Sequence, residues 1–467
     1  MLRWITALLL IALVALGGAW MVAGRVEPPQ ITIDRPQRVV GHEGSLQVTA
    51  AAPGARFTAL GIDVEQNGHT TPLFSLDSTG DAKLSQPDAD HLRITRPFGK
   101  TSVPALRSGP ARIVVSASRR SFLNLRTVTG SASRDIQVKL EPPRIEVVST
   151  HHYVNLGGSE MVVYRTTPPG VSSGVRVGQI EYPGFPAAGA GLAGADPSLK
   201  IAFFALLYDQ DLNTPIVAFA RDEAGNEATA PFVDQVFEKP FKKSTIQLEE
   251  SFLRRVVPEI ISHTPELDLQ APANDDELLA DFLKENGTLR QQNAEQIRTL
   301  ASSKTAPTRY WTQPFVQLGN SKVEAAFADH RTYFYKGKEV DQQVHLGFDL
   351  AVTSHVPVVA ANDGTVLHAS WLGIYGNCVI IDHGMGIASL YGHLSSFDVG
   401  VGDHVKRGQT IGRSGMTGLA GGDHLHFTIL VNGRMVNPVE WWDPHWIADR
   451  IDRKLREAGV TGSPTGP

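Results

Sequence analysis

The sequence predicts a mainly β protein with a helical connector, and three observations carry that reading. Most of the chain runs in short alternating polar and apolar stretches separated by Gly, Pro and Asn. One block of it repeats in tandem. The C-terminal region combines turn glycines with a concentration of histidine. An apolar N-terminal segment and a helically periodic stretch near residue 280 are the exceptions.

The 467 residues are enough for about three domains. With 42% hydrophobic and 19% charged residues, most of the chain can bury a core. A formal net charge of -5 without a polybasic run argues against nucleic acid and anionic lipid as partners. The single cysteine, Cys378, excludes an intrachain disulfide framework. In the run GNCVIIDHG it reads as a small buried apolar residue.

Residues 1–25 read as a signal anchor or transmembrane helix. Arg3 and the free amine precede an apolar run from Trp4 to Ala23, and Arg25 closes it. About 20 apolar residues can span a bilayer as a helix. A cleaved signal has a shorter core, ~7–15 residues, ending in small residues, whereas Trp20 and Met21 crowd the only candidate cut. The positive N-terminus stays inside the cell, so the remainder lies beyond the inner membrane.

The tandem repeat follows. Glu27-Pro28-Pro29-Gln30-Ile31-Thr32-Ile33 returns as Glu141-Pro142-Pro143-Arg144-Ile145-Glu146-Val147, and Gly44-Ser45 returns as Gly158-Ser159, always 114 positions on. Two units, 26–140 and 141–243, each read as a β-sandwich of short strands, with runs such as Ser45 to Ala50 and Glu160 to Tyr164. The phrase from Ala220 to Asn226 resembles the last hairpin of bacterial immunoglobulin-like domains. The pair reads as a spacer.

Residues 244–307 form a helical connector. Asn274 is placed to cap a helix beginning Asp275, Asp276, Glu277, acids suited to the positive end of the dipole. Leu278, Leu279, Phe282 and Leu283 share a face, Gly287 weakens the helix, and Leu289, Ile297 and Leu300 mark a second segment. A regulatory arm over a functional site is the sharper reading of this segment; packing on a neighbour is the plainer one.

Residues 308–446 return to β structure, with turns at Asn362-Asp363-Gly364, Gly373 to Asn377 and Gly400 to Asp403. Trp441 and Trp442 are expected to seal the end of this domain. Residues 447–467 read as a short helix and a disordered Gly/Pro/Thr tail.

Eight of the sixteen histidines fall between residues 341 and 443: His345, His355, His368, His383, His393, His404, His424 and His426. That stretch also has an excess of acids, which favours a cationic metal as its ligand. In His345-Leu346-Gly347-Phe348-Asp349, Asp349 stands in an apolar run where a lone charge is costly unless paired or metal-bound. Gly347 is expected to let the backbone bend so that His345 reaches the same ion. In His424-Leu425-His426, residues two apart on a strand share a face, so both rings point one way. Together the motifs supply His, Asp and His, and a catalytic zinc site uses three protein ligands and one open position. Tyr391-Gly392-His393-Leu394 places a further histidine between them.

HLGFD, YGHL and GMTGLAGGDHLHF in this order, with the run from Val401 to Gly412, resemble the lysostaphin-like zinc endopeptidases over roughly Val344 to Trp442. The resemblance implies that His345, Asp349 and His426 bind one Zn2+ ion. It implies that His393 and His424 are catalytic, within an open antiparallel β fold with the metal in a groove. It implies hydrolysis of peptide cross-links of peptidoglycan in the bacterial cell envelope, and by analogy the D-Ala–diaminopimelate bridge. Some members use a tyrosine to stabilise the oxyanion; Tyr333 and Tyr335 are the candidates here. Gly415, Gly418, Gly421 and Gly422 are expected to let the groove floor approach a substrate backbone. His383 has an expected supporting role, whereas His355, His368, His404 and His445 read as packing or surface residues. Two other classes compete. A relative that regulates an amidase without catalysis would have lost ligands, and none is lost. A biotin- or lipoate-carrier, suggested by VGDHVKRGQTIG, needs a lysine at a hairpin tip, and Lys406 lies inside the hairpin repeat.

Overall fold

The computed structural model describes residues 2–23, 27–121, 126–191 and 196–459. They divide into two compact units, 1–143 with 221–228, and 144–220 with 229–467. The tail expected to be disordered, from residue 460, lies outside the described residues.

The first unit opens with the helix Leu2–Ala23. Its window Trp4–Met21 has no buried residue and a mean hydropathy of 2.1, and is long and apolar enough to cross a membrane. Two sheets follow. One orders the strands Gln30–Arg35, Ser45–Ala51, His91–Pro97 and Lys83–Ser85; the other orders Val39–Val40, Arg126–Val138, Gly109–Ser121, Phe57–Gln66 and His69–Ser75. Leu46, Val48 and Ile94 from the first sheet meet Ile62, Ile113 and Val115 from the second in one core. The alternation in the sequence is thus the alternation between core and solvent.

The second unit begins with the second sandwich. Its strands start where the repeat places them: Arg144–Val147 pairs with Ser159–Thr167, as Gln30–Arg35 pairs with Ser45–Ala51. One sheet orders Arg144–Val147, Ser159–Thr167, Leu199–Ala205 and Phe185–Pro186; the other orders Ile180–Pro183, Ser172–Val177, Ile216–Arg221 and Glu227–Pro231.

The core of this sandwich continues into the C-terminal domain. Trp441 packs on Phe203 at 6.0 Å and on Trp311 at 5.5 Å, and its indole N–H donates to Ser159 Oγ at 3.0 Å. Glu440 accepts from the Ser159 backbone N–H and from Asn155 Nδ2, both at 2.7 Å. The terminal helical turns, Ile447–Asp452 and Arg453–Glu457, bring Lys454 onto Glu160, Nζ to Oε1 at 2.7 Å, both side chains fully buried. Trp441 therefore does seal the domain, against the second sandwich.

The connector holds the helix Glu250–His263, then Asp275–Lys284, a π-helical turn Glu285–Leu289 around Gly287, and Arg290–Ser303. Asn274 Oδ1 accepts from the Glu277 N–H at 2.9 Å, the expected cap. Leu278 and Phe282 are buried with Leu253, Val256 and Tyr333.

The C-terminal sheet is antiparallel, in the order Lys322–Ala325, Phe348–Ala351, His424–Val431, Ile387–Leu394, Asn377–Gly384, Gly364–Trp371 and His404–Val405, with Arg434–Val436 beside His424–Val431. A hairpin of Asp329–Tyr335 and Lys338–His345 leads into it and pairs with Lys243–Gln247 at the start of the connector.

Candidate active site

Sheet register brings the distant motifs together. Asp349 lies directly across from His426, and His426 directly across from Gly392, one residue before His393. His345 ends the strand before Gly347. A Cβ on Gly347 would stand 2.4 Å from His426 Nε2, so this glycine is required for close packing of the ring rather than for bending.

His345 Nε2 lies 2.9 Å from Asp349 Oδ1 and 3.0 Å from His426 Nδ1, and His426 Nδ1 lies 3.1 Å from the same Asp349 oxygen. His345 Nδ1 donates to the Ala326 carbonyl at 3.2 Å; a carbonyl only accepts, so Nε2 carries the lone pair. A tetrahedral zinc ion with bonds of ~2.0–2.1 Å sets its ligand atoms about 3.3 Å apart. Two imidazole nitrogens and one carboxylate oxygen at this spacing fit such an ion.

The second Asp349 oxygen accepts from Arg331 Nη2 at 3.0 Å. Burial would raise the Asp349 carboxyl, but His345 and the hydrogen-bonding rings of His424 and His426 outweigh it and hold it well below the usual carboxylate range.

His393 and His424 flank the cluster with ring centroids 4.8 Å apart. His393 sits at φ +62°, a backbone region costly for a non-glycine residue and concentrated at functional sites. Its Nδ1 donates to the Thr417 carbonyl at 2.8 Å, which leaves Nε2 as an acceptor. His424 Nδ1 donates to the Gly422 carbonyl at 2.8 Å, and its Nε2 is 3.5 Å from Asp349 Oδ1. Burial, then repulsion from His424 and His426, hold His393 well below an ordinary histidine. For His424 burial pulls the same way, but hydrogen bonding to Asp349 and its charge override it and raise the ring.

All five residues line one cleft of about 430 Å³. Connector residues Leu248, Glu249, Phe252, Phe282 and Arg290 form part of its wall, and Arg255 donates to the Met416 and Ala420 carbonyls of the loop before His424. The connector thus packs on the cleft itself.

Of the two tyrosine candidates, Tyr333 lines the cleft and Tyr335 does not. The glycine loop is divided. Cβ atoms on Gly415 and Gly418 would meet Ser395 N at 2.7 Å and Gly376 N at 2.4 Å, whereas Gly421 and Gly422 face open space. The first two allow the chain to pack on itself, and only the second two leave room for a partner. His383 is buried between the Asp363 carbonyl and Ser389 Oγ, 2.7 Å from each, and is not among the residues lining the cleft. His355 and His404 are exposed; Cys378 is buried, and burial pushes its thiol up.

Arg331 and Tyr375 are the site residues not singled out from the sequence. Asp329, Arg331 and Tyr333 alternate on one strand, and that spacing could have marked Arg331. Nothing local marks Tyr375, whose ring meets His426 at 5.3 Å.

Peptidase family M23 matches residues 343–438, the span that holds the three motifs. The C-terminal region is an M23 peptidase domain. The chain is 42% identical over 97 residues to the DD-carboxypeptidase/endopeptidase Mpg of Neisseria meningitidis, covering 21% of this chain and 22% of that protein. It is 42% identical over 96 residues to the peptidoglycan DD-endopeptidase ShyA of Vibrio cholerae, covering 21% and 22%. It is 40% identical over 95 residues to the murein hydrolase activator EnvC of Escherichia coli, covering 20% and 23%. The chain therefore spans about a fifth of the length of the curated relatives it matches. Among the described residues, the M23 domain's candidate metal-binding group is His345, Asp349 and His426.

Proposed function

We propose that this protein is a zinc metalloendopeptidase that hydrolyses peptide cross-links of peptidoglycan, held at the inner membrane by its N-terminal helix. The observation that carries the reading is the convergence of His345 Nε2, Asp349 Oδ1 and His426 Nδ1 beside two further histidines in one cleft. The DD-carboxypeptidase/endopeptidase from Neisseria and the peptidoglycan DD-endopeptidase from Vibrio, both similar to this domain, support the substrate class.

His345, Asp349 and His426 would hold the ion. When bound, zinc supplies Lewis acidity, polarising a carbonyl and acidifying water. Arg331 occupies one Asp349 oxygen and leaves the other for the metal. His393, with its Nε2 lone pair kept free by the Thr417 carbonyl, is placed to take the proton from the attacking water. His424 is placed to stabilise developing negative charge and to return a proton to the departing amine. Tyr333 is the candidate for a further donor to the oxyanion.

The bond we favour is the amide between D-Ala and diaminopimelate. The carbon next to its departing nitrogen carries a free carboxylate, as does the departing residue in any carboxypeptidase substrate. An amidase-activating role without catalysis is the alternative, given the likeness to EnvC. The complete ligand and histidine set favours catalysis.

Digestion of purified peptidoglycan with the zinc-loaded protein, followed by mass spectrometry of the new ends, tests this. New D-Ala carboxyl ends with freed diaminopimelate amines are expected. Absence of new ends, together with stimulation of a separate amidase, would overturn it.

A further inference from the structure

Arg290 stands in the wall of the catalytic cleft with His393, His424 and Tyr375. Its guanidinium donates from Nε to the Asn286 carbonyl at 3.0 Å and from Nη2 to Asn286 Oδ1 at 2.5 Å. Both acceptors are neutral. Asn286 is fixed in turn by donating to Asp341 Oδ2 at 2.7 Å. Among the described residues Arg290 forms no ion pair. Of the two acids five positions away, Glu295 is paired with Arg298, and Glu285 is fully buried with neither oxygen hydrogen-bonded; burial followed by the charge of Asp281 pushes Glu285 up to about 9, so it brings no countercharge at neutral pH.

The helix that carries Arg290 is locked to the metal cluster. Asn293 Oδ1 accepts from the Ile374 N–H at 3.0 Å, and a Cβ on Gly373 would stand 2.2 Å from that oxygen. The next residue, Tyr375, packs its ring on His426. Arg290 is thus held at a set position relative to the reacting centre by the π-helical turn Glu285–Leu289, a distortion frequent at functional sites. The other two cations of the cleft differ from it. Arg331 is taken by Asp349, and Lys242 is exposed to solvent.

A half-buried guanidinium with one edge pinned by neutral oxygens and no acidic partner favours an anion from outside the chain. We propose that Arg290 binds the free carboxylate on the residue whose nitrogen departs, making the cleft selective for peptides that carry that carboxylate beside the scissile amide. This rests on the hydrolytic reading above and names the group that sets its substrate.

Two synthetic cross-linked peptides test it, identical except that this carboxylate is free in one and a primary amide in the other. For the zinc-loaded full chain, kcat/KM should favour the acid by roughly 10–100-fold, mostly through KM, as for loss of a hydrogen bond between charged groups. Arg290→Gln should treat the two alike, and Arg290→Lys should keep part of the preference. Zinc stoichiometry and circular dichroism of each variant check that the site and fold persist. Equal hydrolysis of acid and amide by the unaltered protein, or a preference that survives in Arg290→Gln, would overturn the assignment and leave the hydrolase reading standing. If neither peptide is cleaved, the hydrolase reading falls, and calorimetric binding of the same peptides decides the other question. Tighter binding of the acid that Arg290→Gln abolishes supports the carboxylate site, and equal binding removes it.

Discussion

In the first repeat the strand Ser45–Ala51 buries Leu46, Val48 and Ala50 and leaves the residues between them partly exposed. Its counterpart, Ser159–Thr167, buries six consecutive residues from Ser159 to Tyr164, a charged one among them. The two strands start from matching positions of one repeat and pair with matching neighbours. They differ in what covers the second face. The first sandwich closes a core of its own. The second shares a core with the peptidase domain, through Phe203, Trp311 and Trp441. Water on one face preserves polar alternation; protein on both faces replaces it with apolar residues and paired polar groups. The expected two-repeat spacer therefore divides: the first sandwich has a self-contained core, and the second is part of the body that carries the site.

The most severe way to break this comparison is deletion. Removing residues 144–240 should abolish soluble, zinc-binding protein, because it exposes the Trp311 and Trp441 face. Removing residues 27–143 should leave zinc content and hydrolysis of soluble cross-linked peptides intact. A well-folded, zinc-loaded protein lacking 144–240 would refute the shared core.

Lys454→Met should be next in size. It leaves the buried Glu160 with only the longer contact to Arg450 at 3.9 Å, a loss approaching ~3–5 kcal/mol for a broken buried pair. Differential scanning calorimetry should show the transition of the second unit moving down while that of the first sandwich stays.

Glu285 sharpens the same point at the connector. Its folded pKa of about 9 lies above the ordinary 4.5, so its contribution to stability is complete below about pH 4.5 and is lost as pH rises towards 9. Glu285→Gln should melt like the unaltered protein at pH 4 and increasingly above it towards pH 9, by a few degrees for each ~1 kcal/mol. A difference in Tm that does not change with pH would contradict the buried, protonated carboxyl.

The smallest effect belongs to Ile62→Val, which removes one methylene from the closed core of the first sandwich. It should cost ~0.5–1.5 kcal/mol in that transition only. A fall in zinc affinity in this variant would show that the two cores are not independent.

Much of this was legible in the chain. The 114-residue offset matched the first residues of two paired strands, although their registers differ by two, and Asn274 capped the helix it was expected to cap. The motifs HLGFD and HLHF named the residues that the sheet brings together, because period-two alternation is a local property of a strand. Arg331 was partly legible, from its alternation with Asp329 and Tyr333. Arg290 and Tyr375 were not, since their meaning depends on the Asn293–Ile374 contact between segments 81 positions apart.

What the sequence by itself determined was the inventory: an apolar segment long enough for a bilayer, strand starts matched 114 positions apart, a capped helix, and the His and Asp residues of a candidate metal site. Those follow from local periodicity, capping and side-chain chemistry. Only the tertiary structure decided that Gly347 makes room for the His426 ring, that Gly415 and Gly418 serve the chain's own packing, and that the second repeat belongs with the peptidase. These depend on which surfaces meet, and such contacts are set by burial between segments far apart in the chain, which local pattern does not record.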